Sequence, residues 1–249
     1  MTDSTSGNAH MAKGSDWVTL GVNDGTQMKA YVARPSGSGS HPGIMVFQDA
    51  FGVNEPNRAI ADQYAASGFV AIAPELFHRT ATDFDGDYNN IEAVMPHVHA
   101  LTNEGLIADC TAAFDWLKSD GGVKPTRIAA VGFCMGGRTA FLANSALPLA
   151  AAISYYGGGI APGLLDRAPM LHGRQLFFWG GLDAHITPDK RRAAADAVES
   201  AGKRLVDVVF SRADHGFATA HRHEPDSARE AWALGLAFLQ GAMAASGAP

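Results

Sequence analysis

The sequence predicts a doubly wound α/β fold, in which one mainly parallel sheet of about eight strands carries helices on both faces. Three observations carry this expectation. Apolar runs of about five residues alternate with amphipathic stretches of about 12 or more, the rhythm of strands followed by crossover helices. The runs are solid rather than alternating, which marks strands buried on both faces, and parallel strands linked by helices require that burial. The first two strand-like segments do alternate, and Asn23-Asp24-Gly25 between them is a hairpin signal that adds an antiparallel pair.

Taken in order, residues 1–15 are rich in Ser, Thr, Gly, Ala and Asn without a period, and are expected to form a loose arm. Trp17 to Val22 and Met28 to Ala33 are the hairpin strands, and Pro35 to Pro42 is a Ser- and Gly-rich loop. Gly43 to Phe47 reads as a buried strand, Asn57 to Ser67 as a helix stopped by Gly68, and Phe69 to Ala73 as the next strand. Glu104 to Lys118 is a helix, Arg127 to Gly132 a strand, and a further helix starts near Met135. Leu149 to Tyr155, Gln175 to Trp179 and Leu205 to Phe210 are strands; Pro188 to Ala201 and Ser227 to Ala245 are helices. No internal repeat or second composition regime breaks the pattern, so residues 16–249 are expected to form a single domain.

Composition bounds the function. Of 249 residues, 47% are apolar or aromatic and 18% are charged, so the chain can bury a sizeable core. The formal charge of -6, with no block of five or six like charges along the chain, argues against nucleic-acid or anionic-membrane partners. The two cysteines make no disulfide framework, the N-terminus lacks the order of a secretory signal, and no apolar stretch approaches the roughly 20 residues of a membrane span. A cytoplasmic protein acting on a small molecule, as a monomer or homodimer, is the expectation. Asp83-Phe-Asp-Gly-Asp87 has its glycine too early for a calcium loop. That run and His97-Val-His99 read as the polar surface of a lid-like insertion.

Ligands on such sheets bind beyond the carboxyl ends of the strands, so the residues after each strand matter most. Arg127 to Gly132 leads into Gly132-Phe-Cys134-Met-Gly136 and then a helix, the strand-turn-helix setting of a nucleophile elbow. The apex residue points into the cleft, and here it is cysteine. A helix N-terminus lowers a thiol's pKa and offers the Met135 amide to a developing oxyanion. The plain alternative is a small buried cysteine. For Cys110, on an apolar helix face with Ile107, Phe114 and Leu117, that alternative is the expectation.

Such a nucleophile needs a base and a group to orient it, which in sheets of this design follow in the order acid, then histidine. Asp183 lies just past the strand Gln175 to Trp179, and His215 follows the strand Leu205 to Phe210. Ten histidines are present, and His185, His221 and His223 are the alternatives to His215.

With these loops together, residues Trp17 to Leu239 resemble the dienelactone hydrolase family, which implies an α/β-hydrolase fold. Gly132-Phe-Cys134-Met-Gly-Gly137 is similar to the family's elbow, Gly181-Leu-Asp183 and Asp214-His215-Gly-Phe217 to its acid and histidine loops, and Gln48-Asp-Ala-Phe-Gly-Val-Asn54 to the loop after its third strand. The resemblance implies a catalytic trio of Cys134, Asp183 and His215, with oxyanion donors at Met135 and Ala50. It places Asp49, one methylene shorter than the family's glutamate, beside the thiol, and it implies substrate contacts at Phe51, Arg79 and Tyr155. Of the two arginines that hold the family's anionic substrate, Arg79 is kept and the other position is Thr219, with Arg222 or Arg138 as substitutes. The implied reaction is hydrolysis of a lactone or activated ester through a thioester, with no metal or organic cofactor. A general carboxylesterase or thioesterase, and a non-catalytic small-molecule binding module, are the competing readings.

Overall fold

The computed structural model describes residues 14–219 and 224–245. The expected arm, apart from Gly14 and Ser15, therefore lies outside the described residues, as do His221, Arg222 and His223. Among these residues eight strands form one sheet: β1 (Asp16–Gly21), β2 (Gln27–Ala33), β3 (His41–Phe47), β4 (Val70–Pro74), β5 (Val123–Phe133), β6 (Ala151–Tyr155), β7 (Arg174–Gly180) and β8 (Leu205–Phe210). Their spatial order is β1-β2-β4-β3-β5-β6-β7-β8. β1 and β2 pair antiparallel, β2 runs antiparallel to β4, and every pairing from β4 to β8 is parallel. This is the α/β-hydrolase arrangement.

The hairpin between β1 and β2 closes as its residues demand. The Asp24 carboxylate accepts from the Thr26 N–H at 3.0 Å and the Thr26 hydroxyl at 2.6 Å, and Gly25 takes φ +88°, which a side chain would resist. β4 and β6 are buried along their whole length, whereas the edge strand β8 exposes Val206 and Val209.

Among the described residues there are six helices: α1 (Glu55–Ala66), α2 (Ile91–His99), α3 (Asn103–Ser119), α4 (Met135–Ala146), α5 (Pro188–Ser200) and α6 (Pro225–Ala245). α1 starts where Asn54 accepts from the Asn57 N–H at 3.2 Å, and α3 starts where Thr102 accepts from the Gly105 N–H at 3.0 Å. α3 packs on α4, and a 3₁₀ turn at Leu165–Met170 bridges α4 to α5; α1 meets α6 on the other face, where Tyr64 and Trp232 lie 4.6 Å apart. Among the described residues no helix is long and apolar enough to cross a membrane.

Two departures from expectation have physical causes. α2 occupies the segment read as polar insertion, because Pro96 inside it and the pair His97 and His99 break the apolar period. His97 is not simply surface: its ring lies 5.7 Å from Phe77 and 4.5 Å from Phe84, and Nδ1 is 2.8 Å from the Thr80 hydroxyl. β5 begins at Val123 rather than Arg127. Its first residue pairs with His41 across a register irregularity, and the polar stretch Lys124 to Thr126 hides that start.

Candidate active site

The elbow is built by glycines that admit backbone where a Cβ would stand. A Cβ on Gly132 would overlap the Gly136 carbonyl, and one on Gly136 would overlap the carbonyls of Phe47 and Gln48. The start of α4 is thereby pressed against both β5 and the loop after β3. Cys134, between them, takes φ +54° and ψ −114°, a conformation non-glycine residues rarely adopt. It is fixed by its own backbone: its N–H donates to the Tyr155 carbonyl at 3.0 Å, and its carbonyl accepts from Gly137 at 3.0 Å and Arg138 at 3.3 Å. The side chain is partly exposed at the rim of the sheet. Cys110 is the counter-case, buried in the core as expected, with burial pushing its thiol pKa well up.

The acid and histidine loops are joined backbone to backbone. Cβ atoms on Gly180 and Gly181 would crowd Ala213, Asp214 and Ser211, and the Gly181 and Leu182 N–H groups donate to Phe210 and Ala213 at 2.8 and 2.9 Å. Asp183, 6% exposed, accepts at Oδ1 from the N–H groups of His185 (2.8 Å) and Ile186 (3.0 Å). Its Oδ2 lies 2.8 Å from His215 Nδ1, and His215 Nε2 lies 3.1 Å from Cys134 Sγ. Burial acts to lower the His215 pKa, but its bonds to Asp183 and Cys134 outweigh that and push it up to about 10. Burial likewise acts to raise Asp183, but the His215 bond and charge and the two N–H groups hold it below the usual carboxylate range. His185, one of the alternative bases, is exposed and meets the His215 ring edge-on at 5.4 Å.

The loop after β3 lies beside this line. Met135 is the first residue of α4, where an N–H has no carbonyl partner within the helix, and Ala50 is nearly buried in that loop. Asp49 is buried; its Oδ1 accepts from the Phe51 N–H at 2.9 Å and from Asn57 Nδ2 at 3.3 Å. Asn57 also donates to Asn54 at 2.9 Å, and Asn54 donates to the Tyr88 hydroxyl at 3.1 Å. The Tyr88 ring lies tilted against Phe51 at 4.1 Å, and burial together with the Asp49 charge pushes its phenol up to about 12. Sequence reasoning missed Asn54, Asn57 and Tyr88. The helix-capping position of Asn54 was a signal, but nothing in the polar run around Tyr88 pointed to the loop after β3.

Two residues implied as substrate contacts are occupied otherwise. Arg79 donates from Nε to Asp24 at 2.8 Å and through a two-pronged pair to Asp109, also at 2.8 Å, so all three nitrogens end on the protein's own carboxylates. Asp109 is fully buried, and such a charge requires a paired cation. Tyr155 donates its hydroxyl to the Ala231 carbonyl at 3.2 Å and packs between Phe133 and Phe178 at 4.6 and 4.7 Å. Its neighbour Tyr156, at φ +38°, brings its ring to 5.1 Å from His215. Thr219 is nearly buried and turns its hydroxyl back to the Gly216 carbonyl at 3.0 Å. Arg138 donates to Asn103 at 2.7 Å, and burial pulls its pKa down.

Known proteins match this chain over most of its length. The sequence model of the dienelactone hydrolase family matches residues 28–243. A protein of Salmonella typhimurium named "Putative carboxymethylenebutenolidase" is 32% identical over 231 residues, covering 86% of this chain and 83% of its own. One of the same name from Synechocystis is 29% identical, covering 84% of this chain and 90% of its own. The crystal structure of a "Putative Dienelactone Hydrolase" from Klebsiella pneumoniae superimposes with a TM-score of 0.79 at 30% identity, over 91% of this chain and 98% of that one. The chain belongs to the dienelactone hydrolase family and is a carboxylic ester hydrolase.

Proposed function

We propose that the protein hydrolyses a lactone or an activated small ester by two-step acyl transfer on Cys134. The observation that carries this reading is the unbroken line from Asp183 through His215 to the sulfur, at 2.8 and 3.1 Å. His215, oriented by Asp183, takes the thiol proton as the sulfur attacks the carbonyl carbon. The amides of Met135 and Ala50 hold the oxygen as it becomes negative. When the tetrahedral adduct collapses, the carbon–oxygen bond of the ester breaks, and the leaving oxygen takes the proton from His215. Water then adds to the thioester and gives its proton to His215. Collapse of the second adduct expels the sulfur as thiolate, which recovers that proton, and the acid is released. The bonds that hold His215 toward its protonated form stabilise the imidazolium that each half of the reaction creates.

A thiol suits an ester whose leaving oxygen is stabilised, such as the enolate of an unsaturated lactone. Relatives named for carboxymethylenebutenolide, and one from Bradyrhizobium named as a 2-oxo-3-(5-oxofuran-2-ylidene)propanoate lactonase at 26% identity, support a lactone. The reading is tested by turnover of p-nitrophenyl acetate and an unsaturated lactone, with wild type and Cys134→Ala side by side. Wild type is expected to show an acyl adduct on Cys134 by mass spectrometry under rapid acid quench. Undiminished turnover by Cys134→Ala would remove the sulfur from the mechanism.

A second reading, a carboxylesterase of broader range, is favoured by one observation. Arg79 is neutralised by Asp24 and Asp109 and the other clamp position is threonine, so neither offers an unpaired cation to a substrate carboxylate.

A further inference from the structure

Among the described residues, the layer formed by α1 and α6 is open at the end where Phe133, Tyr155 and Thr219 lie. Ala59 and Ile60 on α1 face Trp232 on α6 across a cavity of about 680 Å³, floored by Phe133, Tyr155 and Thr219. That volume is of the size that small-molecule sites take, about 300–1,000 Å³. The floor adjoins the reacting groups through the chain itself. Phe133 directly precedes Cys134, the Tyr155 carbonyl accepts the Cys134 N–H at 3.0 Å, and Thr219 lies on the loop that carries His215.

The chemistry of the lining selects the occupant. Phe133 and Tyr155 are stacked at 4.6 Å and present aromatic surface, and Trp232 adds a third ring. The guanidinium on the wall, Arg229, donates to Asp226 at 2.8 Å, and the Thr219 hydroxyl is spent on Gly216. Hydrocarbon is stabilised there by leaving water, and among the described lining residues the cation, Arg229, is exposed and paired with Asp226, so a carboxylate gains little there for its lost hydration.

We propose that this cavity receives the hydrocarbon part of the substrate, so that the enzyme prefers neutral esters or lactones bearing an alkyl or aryl group over compact carboxylated ones. The proposal rests on the acyl-transfer reading above and narrows its substrate class.

Two ester series test it: p-nitrophenyl esters from acetate to hexanoate, and phenyl acetates with lengthening para-alkyl groups. In at least one series kcat/KM is expected to rise by about tenfold or more with chain length, and p-nitrophenyl hydrogen adipate is expected to lag behind the hexanoate. Ala59→Trp and Ala228→Trp, which put bulk into the cavity lining, are expected to erase that rise, and Glu230→Trp, exposed on α6, to leave it. Hexyl phenyl ether, which cannot be hydrolysed, gives a readout free of catalysis through the fluorescence of Trp232. Saturable binding that disappears in Ala59→Trp, and whose signal is lost in Trp232→Phe, is the expected result. Turnover with no length dependence in either series overturns the cavity assignment and leaves acyl transfer standing. Absence of any turnover overturns acyl transfer, and the ether titration then judges the cavity alone: no saturable binding rejects it.

Discussion

Asp183 and Asp109 are both buried carboxylates, each 2.8 Å from a nitrogen of a basic side chain, yet their partners differ in what they have left to offer. Asp183 faces a ring whose second nitrogen remains to meet Cys134. Asp109 faces a guanidinium whose remaining nitrogen goes to Asp24, tying the β1–β2 turn to α3. Burial acts to raise both acids, but only at Asp183 do the opposing bonds win, whereas Asp109 stays above its usual range despite Arg79. Distance alone therefore does not identify a catalytic pair. What distinguishes one is a partner whose second nitrogen can pass a proton to and from a reacting atom, which a guanidinium does not do.

Four measurements separate the two acids and their partners. Asp183→Asn should lower kcat roughly 10³- to 10⁴-fold by presenting His215 in the wrong tautomer, with a small change in Tm. Asp109→Asn should do the reverse, and an equal loss of kcat in both would erase the distinction. Arg79→Ala strands a buried carboxylate and should cost about 3–5 kcal/mol in urea denaturation, while kcat/KM for a neutral ester stays within about twofold. Loss of neutral-ester turnover without loss of stability would return Arg79 to the substrate site. A smaller effect concerns pH. His215 has its pKa raised to about 10, so the stability it gains from its partners is fully present below about 6.5 and is lost as pH rises toward 10. The Tm gap between wild type and His215→Gln should therefore be widest near pH 6 and close by about pH 10; a gap that widens with pH contradicts the pairing. Smallest is Thr219→Arg, which restores a cation at the cavity floor. It should raise kcat/KM for a carboxylated lactone relative to its methyl ester by about tenfold, and an unchanged ratio would show that the floor does not meet that group.

The parts of this molecule that were legible in the sequence are those written as local patterns. Solid apolar runs located the parallel strands, Asn23-Asp24-Gly25 the hairpin, and Gly132-Phe-Cys134-Met-Gly136 the turn, because each depends on neighbours in the chain. The contacts at Arg79 and Tyr155 depend on what the fold brings near them. Asp24 and Asp109 come from a hairpin and a helix distant in sequence, and the tyrosine that faces His215 is decided by which way the chain turns after β6. Tyr88 was hidden for the same reason, since its partners Phe51 and Asn54 belong to another loop.

The positive φ at Cys134 sets which side chains that position tolerates. A β-branched residue there would force its second substituent into the preceding backbone, so threonine and valine are excluded on steric grounds. Serine differs from cysteine by one atom and carries no such penalty. The bend thus admits an exchange of oxygen for sulfur while the sheet, the glycine contacts and the imidazole stay where they are, and the scaffold's reactivity can be retuned without being refolded.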